Sequence, residues 1–197
     1  MNISFIPIKY KRISQKFTAR HKGVDFAAPK GTPIYAVAPG TVVVAGYGVW
    51  SNSYGKHVVI KHDFGYTNYA HLSTINVKKG QSVSAGQIIG ACGSTGNSTG
   101  NHLHFEIHHK TKWNRIDPLP FFKNRSTPPY KVGKYYQLKD TMNVRADHGT
   151  NYKIVGKKDK GEKVRVYDMW ANDTSIWVRI GNGKWICARS DKGGVHL

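Results

Sequence analysis

The sequence predicts an all-β protein built from antiparallel sheets. Of its 197 residues, 21 are glycine and 8 are proline, and aromatic residues make up 12%. Glycine and proline favour turns, whereas aromatic and β-branched residues are enriched in strands. Short β-branched runs recur between such turn residues along the whole chain, and no window keeps a convincing helical period. These observations favour sheets over helix bundles.

The first half of the chain contains a series of runs typical of short strands, with glycine-containing turns between them. We expect these runs to form the antiparallel sheet of one domain, residues 1–122. The predicted strands are 32–38, 40–45, 57–62, 67–71, 82–84, 87–91 and 102–108.

The second half predicts a separate, smaller β-domain. Its runs at 135–138, 142–145, 163–170, 176–180 and 184–188 have the size and spacing of a small barrel. Between the halves, the segment DPLPFFKNRSTPPY (117–130) is rich in proline, and its Pro128-Pro129 pair favours an extended linker. We therefore predict domains at 1–122 and 135–197, joined by a linker at 123–134.

The net charge of +19, with a pI near 10.0, predicts attraction to polyanions. Nucleic acid, anionic lipid surfaces and the anionic polymers of bacterial walls all qualify, while the alternative is a charge that serves solubility alone. The charge is spread over both halves, without a block of like charges that would mark a basic tail.

Several classes of protein are excluded or disfavoured. No apolar run approaches the roughly 20 residues that span a bilayer. The apolar stretch at 3–8 is short and contains Pro7, so we expect no export signal. Cys92 and Cys187 lie far apart, and we expect two buried small residues without a disulfide between them.

A His-Leu-His sequence provides the first indication of a metal site. On a strand, residues i and i+2 face the same side, so His102 and His104 would lie together while Leu103 and Phe105 face the opposite layer. Two imidazoles held so close are hard to protonate together, and a metal ion bound by one of them relieves this conflict. Glu106 shares their face, but the sequence favours an ordinary exposed carboxylate there over a hydrogen bond to an imidazole.

His21 and Asp25, four residues apart, provide further ligands for such an ion. Two histidines, one aspartate and a water would give the arrangement of a catalytic zinc site, with either histidine of the His-Leu-His pair as a ligand. No H-E-x-x-H is present, so His71 and the non-ligating histidine of that pair are the candidate base and acid. A lone histidine is more often a satisfied core group, and six receive no role: His57, His62, His108, His109, His148 and His196.

Four segments together resemble the lysostaphin-type (LytM-like) zinc metallopeptidases, which are peptidoglycan endopeptidases. They are HKGVDFAAPKGTPIYA (21–36), GTVV (40–43), YAHLS (69–73) and GSTGNSTGNHLHFE (93–106). The resemblance implies an antiparallel β-sheet metallopeptidase domain with one Zn²⁺ held by His21, Asp25 and His104. It also implies that His71 and His102 form the catalytic pair. All these positions are filled, unlike in degenerate members of the family that have lost ligands.

The turn before the His-Leu-His strand, residues 93–100, is rich in Gly, Ser and Thr. Small residues allow a peptide backbone to approach closely. We therefore expect Asn97 and Thr99, together with Tyr69, to contact the substrate.

The second half resembles a bacterial SH3-like cell-wall-binding domain. The residues that carry this resemblance are MNVRA (142–146), NY (151–152), GEKV (161–164), WVRI (177–180) and GKWI (183–186). The sequence departs from the common pattern at Ala146-Asp147-His148, where Ser-Gly-Pro is frequent. Tyr135, Tyr136, Tyr152 and Trp170 could stack on peptide stems or sugars, or fill the core of the barrel.

The two resemblances together imply a monomeric cell-wall lytic enzyme similar to a phage endolysin, with peptidoglycan and anionic wall polymers as partners and no membrane insertion. Such an enzyme waits in the host cytoplasm until release. The alternatives are an exported bacterial autolysin of the same chemistry and a non-catalytic wall-binding protein; a nucleic-acid binder has only the charge in its favour. The bond that is cut stays open between a D-alanyl cross-bridge, a stem peptide and an oligoglycine bridge.

Overall fold

The computed structural model describes residues 3–122, 127, 129–171, 175–190 and 194–197. Within these ranges the chain forms β-strands and two short 3₁₀-helices, Asn52–Tyr54 and Leu119–Phe122. All strand pairs are antiparallel. The all-β prediction is therefore confirmed. None of the described helices is long and apolar enough to cross a bilayer.

The first half folds into an eight-stranded sheet of order β1-β2-β10-β6-β5-β4-β8, with β11 paired to β10, and a three-stranded sheet of order β3-β9-β7. Its strands are β1 (Arg12–Gln15), β2 (Val24–Ala27), β3 (Pro33–Tyr35), β4 (Gly40–Tyr47), β5 (Lys56–His62), β6 (Gly65–Ala70), β7 (Leu72–Ile75), β8 (Ser82–Val83), β9 (Ile88–Cys92), β10 (His102–His109) and β11 (Arg115–Ile116).

Every run predicted as a strand in this half overlaps an observed strand, but β1, β2, β7 and β11 were not predicted. Strand β2, Val-Asp-Phe-Ala, is hard to recognise in the sequence because it is short and Asp25 interrupts its apolar residues. In the structure Val24 and Phe26 are buried in the core, and Asp25 projects from the opposite face of the sheet. The residue that makes the strand hard to recognise is thus the one that serves the site.

The second half forms a six-stranded sheet of order β14-β13-β18-β17-β16, with β19 paired to β18, and a two-stranded sheet of β12 and β15. Its strands are β12 (Tyr135–Gln137), β13 (Met142–Arg145), β14 (Ile154–Lys158), β15 (Lys163–Arg165), β16 (Asp168–Ala171), β17 (Ser175–Gly181), β18 (Lys184–Ser190) and β19 (Gly194–Val195).

The prediction of one continuous strand at 163–170 is wrong. The chain changes partner within this run, because β15 pairs with β12 whereas β16 pairs with β17. The backbone N–H of Val166 still bonds to the Lys134 carbonyl at 2.9 Å, and the next N–H, that of Tyr167, bonds to the Arg179 carbonyl at 2.8 Å. Strand β14 was also missed, since it is largely exposed and has no alternation of buried residues.

Each half has its own hydrophobic core, and two residues of the first half pack into the second core. The first contains Phe26, Leu103 and Phe105, so Leu103 and Phe105 do face the layer opposite the histidines. The second core is built from the second half but also takes in Phe5 and Ala85 of the first half. The N-terminal segment therefore packs against both cores.

The predicted linker at 123–134 lies partly outside the described residues, and the domain boundaries stay a prediction. Tyr130, inside that range, is buried in the second core and donates a hydrogen bond to the Ala188 carbonyl at 3.3 Å. Both cysteines are free, as expected. Cys92 is buried, but the prediction of a buried Cys187 is wrong, since it is half-buried in β18.

Candidate metal centre and catalytic cleft

The pairing of β2 with β10 brings the first part of the site together. Asp25 lies directly opposite His104, and Ala27 opposite His102, in this antiparallel pair. Cross-strand neighbours lie about 5 Å apart, so the sheet itself sets Asp25 beside His104. His21 reaches the same point from the loop before β2, where its Nδ1 lies 3.0 Å from the Lys16 carbonyl.

Three ligand atoms converge at this point, as the resemblance implied. His21 Nε2 lies 3.1 Å from Asp25 Oδ1 and 3.1 Å from His104 Nδ1, and His104 Nδ1 lies 2.7 Å from Asp25 Oδ1. Ligands of a tetrahedral zinc ion, bound at about 2.0–2.1 Å, would lie about 3.3 Å apart. The donor set of two imidazoles and a carboxylate, at this separation, fits zinc.

Outer partners orient both imidazoles for metal binding. The Lys16 carbonyl can only accept a hydrogen bond, so His21 carries its proton on Nδ1 and leaves the Nε2 lone pair free. His104 Nε2 lies 3.2 Å from Glu106 Oε1, which fixes a proton there and leaves Nδ1 to face Asp25. A hydrogen-bond acceptor on the far nitrogen of the ring fixes the tautomer of a metal-binding histidine.

The charges of the site favour a cation. Burial raises the pKa of Asp25, but its hydrogen bond to His104 and the nearby His21 and His102 outweigh burial and leave that pKa below its usual value. Burial lowers the pKa of His104, yet hydrogen bonds to Asp25 and Glu106 raise it to about 9. The two carboxylates thus attract positive charge to the point where the ligand atoms meet.

His71 and His102, the predicted catalytic pair, lie beside this cluster, with their ring centroids 4.6 Å apart. His71 Nδ1 donates to the Thr95 carbonyl at 2.8 Å, and His102 Nδ1 donates to the Gly100 carbonyl at 2.8 Å. A neutral imidazole that donates from Nδ1 keeps its lone pair at Nε2. Burial is the main reason that the pKa of His71 falls to about 4, so this imidazole is neutral at neutral pH.

These groups line an open cleft of about 510 Å³. Asn97 and Thr99 also line it, and their contact with substrate stays a prediction. The prediction for Tyr69 is wrong, because this side chain is fully buried and its hydroxyl accepts from the Val37 N–H at 3.0 Å. Tyr54 lines the cleft instead. No motif marks Tyr54, which comes from the short 3₁₀-helix after β4.

Glu106 is a buried carboxylate beside the metal-ligand cluster. It is 2% exposed, so the expectation of an ordinary exposed carboxylate is wrong. Its charge is satisfied by partners on every side, which bring its pKa well below the usual range despite burial. These partners are His104 Nε2 (3.2 Å), His108 Nε2 (2.7 Å), Tyr54 OH (2.9 Å), Asn68 Nδ2 (3.2 Å) and Arg115 Nε (3.2 Å).

His108, which received no role from the sequence, belongs to this network. Its Nδ1 accepts the Trp113 backbone N–H at 3.0 Å, so its proton must lie on Nε2, where Glu106 accepts it. The pattern that could have revealed both residues is the period of two through 102, 104, 106 and 108, which places four polar side chains on one face of β10.

Gly23 leaves the space that His104 occupies. A Cβ atom there would lie 2.6 Å from His104 Cε1 and 2.7 Å from the Phe105 carbonyl oxygen. We expect Gly23→Ala to displace His104 and weaken zinc binding at least tenfold. Gly100→Ala is the matched control, because a Cβ at Gly100 meets no atom within 4 Å. Competition with a zinc chelator measures the zinc affinity of both variants. Equal affinity would show that the contact between a Cβ at position 23 and His104 is relieved without moving the ring away from the metal.

A sheet that presents two imidazoles, a carboxylate and a further pair of histidines to an open cleft defines a metallopeptidase type of centre. Residues 19–118 match the family model Peptidase family M23, and residues 140–194 match Bacterial SH3 domain. The chain therefore belongs to Peptidase family M23, and its second half is a bacterial SH3 domain.

Two similar curated proteins are named as endopeptidases. The peptidoglycan DD-endopeptidase ShyA of Vibrio cholerae is 50% identical over 93 residues, covering 47% of this chain and 21% of the relative. The glycyl-glycine endopeptidase ALE-1 of Staphylococcus capitis is 44% identical over 186 residues, covering 80% and 50%. The chain thus spans half or less of the length of these relatives.

The solved structures similar to this chain also include peptidases. The antimicrobial peptidase lysostaphin from Staphylococcus simulans has a TM-score of 0.54 at 25% identity and covers 100% of this chain and 96% of its own. A zinc containing peptidase from Vibrio cholerae has a TM-score of 0.54 at 35% identity, covering 59% of this chain and 39% of its own. The first of these similarities extends over both halves of the chain.

Proposed function

We propose that the protein is a zinc-dependent peptidoglycan endopeptidase directed to the wall by its SH3 domain. The observation that carries this proposal is the convergence of His21, Asp25 and His104 beside the pair His71 and His102. The names of its relatives support the substrate class: one acts on peptidoglycan and another on glycyl-glycine bonds.

The side chains divide the chemistry between them. Zinc held by His21, Asp25 and His104 would supply the Lewis acidity that polarises a peptide carbonyl and a water molecule. His71, neutral and fixed through the Thr95 carbonyl, is suited to accept a proton at Nε2. His71 can then return that proton to the leaving amine, so that the proton balance closes. His102, fixed through the Gly100 carbonyl, would donate a hydrogen bond to the developing oxyanion from Nε2 when that nitrogen carries a proton.

The second half supports the targeting role. Tyr135 and Tyr152 are 66% and 45% exposed, so these two aromatic side chains are available for a wall ligand. Tyr136 and Trp170 are half-buried. The charge of +19 adds attraction to anionic wall polymers. We propose that the protein acts as a monomer on the wall, without a nucleic-acid partner or membrane insertion.

For the biological setting we propose a phage endolysin, because a catalytic domain joined to a wall-binding domain suits an enzyme that is released directly onto the wall. The runner-up is an exported autolysin of the same chemistry. Fractionation of the native producer distinguishes them: an endolysin stays in the cytoplasm until the membrane is breached, and an autolysin accumulates outside intact cells.

The proposed activity is tested on purified peptidoglycan. We expect fragments to be released by the protein, release to stop with a chelator, and added zinc to restore it. Mass spectrometry of the fragments identifies the bond that is cut. Hydrolysis that survives complete zinc removal would contradict the zinc proposal, and wall binding without any fragment release would favour the non-catalytic alternative.

A further inference from the structure

Two tryptophans form an exposed aromatic surface beside the catalytic cleft. Trp50, in the loop after β4, and Trp113, in the turn between β10 and β11, have ring centroids 5.2 Å apart and planes tilted by 48°. Trp113 is 54% exposed, and Trp50 is half-buried. We call this pair the tryptophan platform. Exposure of so large an aromatic side chain more often marks a binding surface than a contribution to the core.

The backbone holds Trp113 in a conformation that bulky residues avoid. Its φ is 75°, and Lys110 in the same turn has a φ of 62°. Two hydrogen bonds fix the turn. The Trp113 N–H donates to His108 Nδ1 at 3.0 Å, and the Lys110 N–H donates to the Phe64 carbonyl at 2.8 Å. Such strain persists where the structure needs a particular placement of a side chain, and it is enriched at functional sites. Here the strained residue displays its ring instead of burying it.

The platform is continuous with the cleft. The Arg115 guanidinium lies 4.8 Å from the centroid of the Trp113 ring, and one of its nitrogens donates to Tyr54 OH at 3.1 Å. Arg115 and Tyr54 both line the cleft. On the other side, Lys112 Nζ lies 5.8 Å from the centroid of the Trp50 ring. The two cations therefore lie over the rings, and the one over Trp113 also lines the cleft. A ligand on the platform is thus next to hydrogen-bond donors and to the catalytic cleft.

We propose that the tryptophan platform binds the glycan strand of peptidoglycan while the attached peptide lies in the cleft. This inference rests on the proposed function. A pyranose ring offers a flat face of C–H groups to stack on an indole, and its hydroxyl and acetamido oxygens accept hydrogen bonds from Lys112 and Arg115. A polynucleotide also combines flat faces with acceptors, but the saccharide is favoured because it is covalently attached to the peptide that the cleft is proposed to cut.

Direct binding is tested with a peptide-free β-linked N-acetylglucosamine tetramer and the full chain. We expect the indole N–H resonances of Trp50 and Trp113 to shift on titration. Trp113→Leu should weaken binding about tenfold, as followed on Trp50, and Trp113→Tyr should retain most of it. Tyr10→Leu is the control, since Tyr10 is 37% exposed and lies outside the platform. Unshifted Trp50 and Trp113 resonances, or shifts caused by an oligothymidylate but not by the tetramer, would overturn the proposal.

A second assay separates this proposal from the proposed function and from a structural role in covering His108. Trp113→Leu should raise KM about tenfold for glycan-linked peptidoglycan and leave zinc affinity and cleavage of a short glycan-free peptide unchanged. Equal effects on both substrates would overturn the glycan proposal. If the unaltered protein cuts neither substrate, the proposed endopeptidase activity fails, while the tetramer titration still decides whether the platform binds saccharide.

Discussion

Replacing His102 with alanine is expected to lower peptide-bond hydrolysis by a factor of about 10² to 10⁴ and to leave the zinc site filled. The three proposed ligand atoms belong to His21, Asp25 and His104, and His102 Nε2 lies 3.8 Å from Asp25 Oδ2, outside that cluster. The His102 ring also lies beside the His71 ring, and its Nδ1 is hydrogen-bonded to the Gly100 carbonyl. It is therefore placed for proton transfer or oxyanion binding, and its loss should reduce kcat more than metal content.

The measurement is kcat on a defined peptidoglycan peptide, with zinc content determined on the same sample. His109→Ala is the matched control: it lies on the same strand, at the far end of β10, and does not line the cleft. Full turnover in a zinc-loaded His102→Ala protein would remove His102 from the mechanism. Loss of zinc from that variant would instead show that the imidazole contributes to the metal site.

The sequence was sufficient to predict the parts of the site that follow from a local period. A spacing of two on a strand places His102 and His104 on one face and Leu103 and Phe105 on the other, and the structure has this arrangement. The all-β class was also predictable, because glycine-rich turns and β-branched runs act over a few residues. The pairing of β2 with β10 joins residues far apart in the chain. The residue pattern alone predicts that Asp25 shares an ion with one histidine of the His-Leu-His pair, and only the family resemblance selects His104.

Residues whose environment is set by distant segments could not be predicted in the same way. Tyr69 belongs to a motif beside His71, yet its side chain points into the core and packs against Phe105, with ring centroids 5.1 Å apart. Glu106 is polar and was expected at the surface, but its partners come from four separate parts of the chain. Burial of a charge is favourable only when such partners converge. The period of two on β10 places His104 and His108 beside Glu106, but no local pattern shows that Tyr54, Asn68 and Arg115 also meet it.

The Glu106 network also explains how a sheet with few carboxylates keeps its histidines in defined states. One carboxylate accepts hydrogen bonds from His104 and His108, which face it from the same strand at spacings of two. Through His104 it acts on the metal site, and through Tyr54 and Arg115 it supports the wall of the cleft. A single substitution at this residue should therefore affect folding, metal binding and the shape of the cleft together.

We expect Glu106→Ala to lower the free energy of unfolding of the metal-free protein by about 3–5 kcal/mol, because it leaves the half-buried Arg115 guanidinium without its ion-pair partner and several buried donors without their acceptor. Zinc affinity should fall by a factor of about 10 to 100, since His104 loses the partner that holds its tautomer. Glu106→Gln keeps the shape but turns one acceptor into a donor facing other donors, so it should fall between the alanine variant and the unaltered protein.

Glu162→Ala is the control for loss of a carboxylate, because Glu162 is an exposed partner of Lys158. Its removal should change neither the free energy of unfolding nor the zinc affinity. Denaturant unfolding without metal measures the folding effect, and chelator competition on the folded variants measures zinc affinity. Should Glu106→Gln bind zinc as tightly as the unaltered protein, the charge of Glu106 would be irrelevant to the metal site and only its shape would matter. Should Glu106→Ala also keep full affinity and stability, the network would have no role in holding His104, whose orientation would then be set by the pairing of β2 with β10 alone.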